Sequence, residues 1–210
     1  MKIHDVSMLI EPEMMVYKDK PSKKPVFENM GNHSTGVSHE TKVSLDIHTG
    51  THIDMPLHMI EAGKTMDTFD FTRLMTEAKV FDMTHLEDPF VSFKDIEKLD
   101  IVKGDFIIFK TKNSFYDKTK GFEYDFVYVD ESAAKYLCDL DVDGVGIDAL
   151  GIERAQDNHM THKSLLSQDI IILEGLELKD IQEGTYQLIA LPIKLKGTEG
   201  SWVRAVLIEG

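Results

Sequence analysis

A single cysteine, Cys138, among 210 residues excludes an intrachain disulfide and any cluster of thiolate ligands. Positive charge is also scarce. Lys and Arg number 23 against 37 Asp and Glu, a formal net charge of −14. Such a surface repels polyphosphates, so neither nucleic acid nor an anionic membrane is an expected partner. No apolar run approaches the ~20 residues of a membrane-spanning helix. The opening MKIHDVSMLI sets polar and acidic residues among its apolar ones, unlike a signal peptide. A cytoplasmic protein is the expectation. Internal repeats, low-complexity tracts and a convincing linker are missing too. What remains is 42% hydrophobic and 29% charged, ordinary for one soluble domain over residues 1–210 with a real core.

Short apolar or alternating stretches dominate the chain. Ile3 to Ile10, Val37 to Ile47, Lys79 to Met83 and Asp105 to Lys110 read as strands, as do 144–148, 169–176, 185–193 and 203–209. Helices are few. Ser92 opens a short one over SFKDIEKL, and Asp130 caps ESAAKYLCDL, whose Ala133, Ala134, Leu137 and Leu140 share a face. The stretch EPEMMVYKDKPSKKPVFENMGN reads as a long irregular segment of the kind that serves as a lid or binding loop. Residues 112–123 read as an exposed polar excursion. The pattern is mixed α/β with strands in the majority.

The chemistry concentrates in His48-Thr-Gly-Thr-His52-Ile-Asp54-Met-Pro-Leu-His58. All four ligand-type side chains occupy positions of one parity, which in extended chain point to one face. In a helix the same spacing would scatter them, and Pro56 would break it. A straight strand would still hold His48 and Asp54 about 20 Å apart, whereas metal–ligand bonds are about 2 Å long. The chain must therefore fold back on itself. Gly50 supplies the permissive backbone, and Thr49 and Thr51 can hydrogen-bond the turn. His48, His52 and Asp54 form a ligand set with open positions, suited to zinc, manganese or iron(II). His58 is either a fourth ligand or a general acid/base. Downstream, Glu174 ends an apolar strand, an odd place for a carboxylate unless it reaches a metal, a cation or a donor. His159 and His162 compete to accompany it. The lone histidines His4, His33, His39 and His85 read as structural or exposed.

The run resembles the HxGTHxDxPxH signature of the cyclase-like metal-dependent hydrolases, which include kynurenine formamidases (arylformamidases) and isatin hydrolases. GVGIDALGIE, THKSLLSQDIIILEGL and ALPIKLKGTEGSWVRAVLIE resemble the family's later blocks. The resemblance implies a mixed-sheet, swivelling β/β/α-type α/β fold assembled as homodimers or homotetramers, in which subunits can contribute loops to each other's pockets. It implies that His48, His52 and Asp54 bind metal and that His58 transfers protons. The family's downstream histidine and glutamate match His162 and Glu174, with Glu174 and Asp54 bridging two metals and His162 on the second. The implied cofactor is a divalent metal, zinc (one or two ions) or manganese, and the implied reaction is hydrolysis of an amide, formamide or lactam C–N bond in a small molecule. Arylformamidases carry a tryptophan in a VWPGD-like segment where this chain has Val16-Tyr17-Lys18-Asp19, so Tyr17 is the candidate to stack on substrate. Trp202 stands where the family often has proline. The competing readings are a dehydratase or true cyclase using the same metal and, last, a non-catalytic metal-binding module.

Overall fold

The computed structural model describes residues 1–154 and 156–210. The strands in chain order are β1 (Lys2–Asp5), β2 (Val26–Gly31), β3 (Glu40–Ser44), β4 (His52–Asp54), β5 (Met75–Asp82) and β6 (Phe90–Val91). Then come β7 (Phe106–Lys110), β8 (Tyr128–Val129), β9 (Gly144–Ile147), β10 (Ile171–Glu174), β11 (Gly184–Pro192) and β12 (Gly200–Glu209). The helices are α1 (Phe93–Ile96), α2 (Glu131–Leu140) and α3 (Met160–Ser167), with short 3-10 turns between elements.

The main sheet runs β1-β12-β11-β5-β7-β9-β10-β4, and β4 pairs again with β12, closing the sheet into a barrel. One edge of β12 meets β11. The other is divided between β4, opposite residues 200–202, and β1, opposite residues 206–209. The neighbours β5, β7, β9 and β10 are parallel, and the rest pair antiparallel. Parallel strands buried on both faces read as continuous apolar runs, which explains FIIFK and IILE. Their alternate side chains enter two different cores. Phe106 and Ile108 of β7 and Ile171 and Leu173 of β10 join Ile53, Val80, Leu188 and Leu207 in the barrel core. Ile107, Phe109 and Ile172 face the other way, against Ala133, Ala134 and Leu137 of α2 and Leu165 and Leu166 of α3.

The expected caps are in place. Asp130 Oδ1 accepts from Ala133 N–H at 2.9 Å and starts α2. At α1 the Asp95 carboxylate accepts from both the backbone N–H and the hydroxyl of Ser92 (2.7 and 2.6 Å). Other boundaries differ from the sequence reading. The stretch Ile3 to Ile10 pairs as a strand only to Asp5, followed by a bridge from Ser7 to Leu176, because farther along β12 the same edge is taken by β4. The irregular segment carries β2, which with β3 forms a separate hairpin. The 112–123 excursion buries Asn113, whose amide bonds both ways with the backbone of Val127 (2.7 and 2.8 Å). Beside it, burial pushes the Asp148 carboxyl up to about 6, although Ser114 and Thr111 donate to it. Helix α3 was not anticipated, since MTHKSLLS has only a weak apolar stripe.

Candidate metal centre

Strand β4 presents His52 and Asp54 two residues apart and therefore on one face, while Ile53 between them enters the barrel core. The chain ahead of β4 turns at Gly50 (φ 75°). Asp46 Oδ1 accepts from His48 N–H at 2.9 Å and the Asp46 carbonyl from Thr49 N–H at 3.1 Å. This turn brings His48 back beside Asp54. The Thr51 hydroxyl donates to the Gly175 carbonyl (2.7 Å) and accepts from Met8 N–H (2.8 Å), tying the run to the end of β10. Pro56 opens a 3-10 turn that lays the His58 ring over His48, with centroids 4.1 Å apart. From the other side, the β4–β10 register sets Glu174 opposite His52, and α3 carries His162 toward both.

The side chains converge as follows. His48 Nδ1 lies 3.0 Å from Asp54 Oδ1, and His52 Nε2 lies 3.6 Å from the same oxygen and 3.3 Å from Glu174 Oε2. His162 Nε2 is 3.4 Å from both Asp54 Oδ2 and Glu174 Oε1. Each carboxylate therefore faces more than one imidazole. Outward, His52 Nδ1 bonds the Gly50 carbonyl at 2.8 Å, which fixes its ring. His48 Nε2 points toward Glu199 Oε1 at 3.5 Å. His162 Nδ1 makes an ion-pair contact with Glu153 Oε1 at 3.1 Å.

Burial and the neighbouring Asp54 act to raise the Glu174 carboxyl, but the His162 and His52 imidazoles outweigh them and bring it to about 2. Burial likewise opposes ionisation of Asp54, and His162 and His48 overcome it, holding the group well below the usual carboxylate range. His162 is driven well above the ordinary imidazole value, because Asp54, Glu153 and Glu174 overcome its burial. His58 is pushed down, chiefly by burial and then by His48 and His162.

His52 Nε2 and both oxygens of Asp54 are buried without a hydrogen-bond partner among the described residues. Such groups are costly to bury unsatisfied. Ligand atoms of His52, Asp54 and Glu174 lie within 4.8 Å of one another, and so do those of His48, Asp54 and His58. Imidazoles and carboxylates around orphaned, inward-facing atoms suit a divalent cation. The fit is good.

A cavity of about 190 Å³ adjoins the cluster, lined by Tyr17, Lys20, Lys23, His58, His159 and Glu153 among others. Tyr17 stands at its wall, edge-on to Phe122 with centroids 5.0 Å apart. The six predicted ligand and proton-transfer residues are thus brought together, and Tyr17 borders them. His159 meets Glu153 (Nδ1 to Oε1, 2.5 Å) and not the central cluster. Trp202 donates its Nε1–H to the Asp46 carbonyl (2.8 Å), bracing the turn that carries His48. His4 contacts Glu209 at 2.9 Å and His85 the Asp82 carbonyl at 3.1 Å, both away from the site. Glu153 and Glu199 escaped the sequence reading. Glu153 stands in irregular chain nine positions before His162, with no periodicity to mark it, and its one signal is a charge next to the apolar GVGIDALGI.

The family model "Cyclase" ("Putative cyclase") matches residues 4–154. The cyclase-like protein 3 of Oryza sativa subsp. japonica is 36% identical over 181 residues, covering 82% of this chain and 66% of its own length. The kynurenine formamidase of Bacillus thuringiensis (strain Al Hakam) is 30% identical over 167 residues, covering 79% of this chain and 78% of its own. A solved structure described as a potential metal-dependent hydrolase with cyclase activity superposes with a TM-score of 0.90 at 48% identity, covering 98% of this chain and 96% of its own. Isatin hydrolase A from Labrenzia aggregata shares the fold alone, with a TM-score of 0.84 at 21% identity, covering 100% of this chain and 94% of its own.

Proposed function

This chain belongs to the cyclase family, and we propose that it is a metal-dependent hydrolase of a non-peptide C–N bond in a small amide, formamide or lactam. The observation that carries the proposal is the set of buried, unpartnered atoms on His52 and Asp54, facing Glu174 and His162 across a few ångströms. The kynurenine formamidase relative supports the bond type.

His48, His52, Asp54, His162 and Glu174 would hold the metal, zinc or manganese, as one ion or as two. When bound, the cation supplies Lewis acidity that polarises the carbonyl and acidifies water at neutral pH. The chain's own residues do the rest. The His58 ring, tilted against His48 and kept neutral by its depressed pKa, accepts the proton that the attacking water releases. As the C–N bond breaks, the same ring returns that proton to the leaving nitrogen, so the products are a carboxylic acid and an amine. Tyr17 offers a flat apolar face to the substrate's ring, and Met59 and Leu150 help exclude bulk water. Residues 1–210 act as one domain, in the cytoplasm; among the described residues no helix is long and apolar enough to cross a membrane. The active form is a homodimer or homotetramer, a reading supported by the exposed Phe27, Met30 and Val43 on the β2–β3 hairpin.

Metal analysis followed by a screen of formanilides, isatin-type lactams and cyclic imides tests the proposal. Chelation is expected to abolish hydrolysis, and added zinc or manganese to restore it. In isotopically labelled water, solvent oxygen must appear in the product carboxylate; a product without it would point to a dehydratase or cyclase instead.

A further inference from the structure

Glu153 is a charged side chain with only 2% of its surface exposed, and it lies outside the cluster of proposed ligands. Both of its oxygens are used. Oε2 accepts from the backbone N–H groups of Thr161 (3.0 Å) and His162 (3.4 Å), the first turn of α3. Oε1 lies 3.1 Å from His162 Nδ1 and 2.5 Å from His159 Nδ1. A single carboxylate thus accepts from the backbone of His162, lies at ion-pair distance from its ring, and bonds the ring of His159.

The local backbone is bent to allow this. Asn158 (φ 68°) and His159 (φ 52°) both occupy the left-handed region, which asparagine tolerates and which strains the histidine backbone. That strain sets the His159 ring onto Glu153 and into the wall of the cavity. With Nδ1 engaged, Nε2 is the ring nitrogen left for a ligand. For His162 the same logic runs inward, since Nδ1 lies beside the Glu153 carboxylate at 3.1 Å while Nε2 faces Asp54 and Glu174. An imidazole that ligates metal through one nitrogen is normally oriented by a carboxylate or carbonyl on the other. His52 already has such a partner in the Gly50 carbonyl.

We propose that Glu153 is the positioning residue of this site, aiming His162 Nε2 at the metal and His159 Nε2 at the substrate. His159 accordingly contacts substrate and holds no metal. This inference rests on the metal-dependent reading above, and one set of measurements separates the two.

Zinc affinity, by competition with a chromogenic chelator, and kcat and KM with formanilide as probe are measured for wild type, Glu153→Gln, Glu153→Ala and His159→Ala. Glutamine keeps an acceptor for the α3 backbone, so E153Q remains folded even if E153A does not. E153Q is expected to bind zinc about 10- to 100-fold more weakly and to show a raised KM. His159→Ala is expected to bind zinc as wild type does while its KM rises about five- to tenfold, the size of one lost hydrogen bond. Wild-type zinc affinity in E153Q overturns the positioning role. Weakened zinc binding in His159→Ala, or an unchanged KM, overturns the division between the two histidines. Wild-type protein that binds no zinc or manganese removes the functional reading and this inference together.

Discussion

Two residues at the centre have opposite electrostatic settings. His58 is kept neutral by burial and by the rings of His48 and His162, whereas His162 is kept charged by three carboxylates when no cation is present. Removing the proposed proton carrier and removing a proposed ligand should therefore fail differently. His58→Ala is expected to lower kcat by about 10²- to 10⁴-fold with metal content unchanged, which turnover assays beside elemental analysis will check. The metal-free protein should also have a defined pH optimum for stability. Glu174 sits near 2 in the fold against an ordinary 4.5, so its contribution is complete above pH 4.5 and is lost as pH falls toward 2. His162 and His52 sit above their ordinary 6.5, so theirs is complete below pH 6.5 and is lost as pH rises through the raised values. Urea midpoints of chelator-treated protein should be higher at about pH 5.5 than at about pH 3 or 8.5, and Glu174→Gln should flatten the acid limb.

Between elements, the critical joint is where β10 leaves Glu174 and meets the turn before β4. Gly175 holds φ 72°, and a Cβ there would stand 2.5 Å from the Gly50 carbonyl oxygen. Gly175→Ala is thus strained in backbone and blocked by backbone, and should cost more than about 1 kcal/mol in denaturant unfolding together with weaker metal binding. The sequence marked the proposed ligands on both sides of this joint but not the joint itself. Parity and Gly50 made the turn at His48 to His58 legible, and the apolar runs made β7 and β10 legible, because both signals are local. The β4–β10 and β4–β12 pairings connect residues far apart in the chain, and no local period encodes them. Helix α3 escaped because its inward face carries Thr161 and His162 beside Leu165 and Leu166, so the site itself blurs the apolar stripe. Glu153 escaped for a related reason, since its partners appear only once α3 is docked.

At the scale of the whole molecule, the β2–β3 hairpin belongs to neither core, and every residue of β3 is exposed. A lone two-stranded hairpin is marginal in water, and Val26, Phe27, Met30 and Val43 are each more than two-fifths exposed. Sedimentation of the wild type is expected to give a dimer or tetramer, and the double variant Phe27→Glu/Met30→Glu to shift it toward monomer. The barrel's closure has a temporal consequence. His52 is bonded on one side to the strand bearing Glu174 and on the other to the strand bearing Trp202. A ribosome releases the HxGTHxD stretch early, yet that stretch must wait for nearly the whole remaining chain before it is framed. Until then its histidines and aspartate are loose ligands on a nascent polypeptide, open to whichever cation is at hand. The site proposed for the metal is therefore complete only when the last strand has arrived.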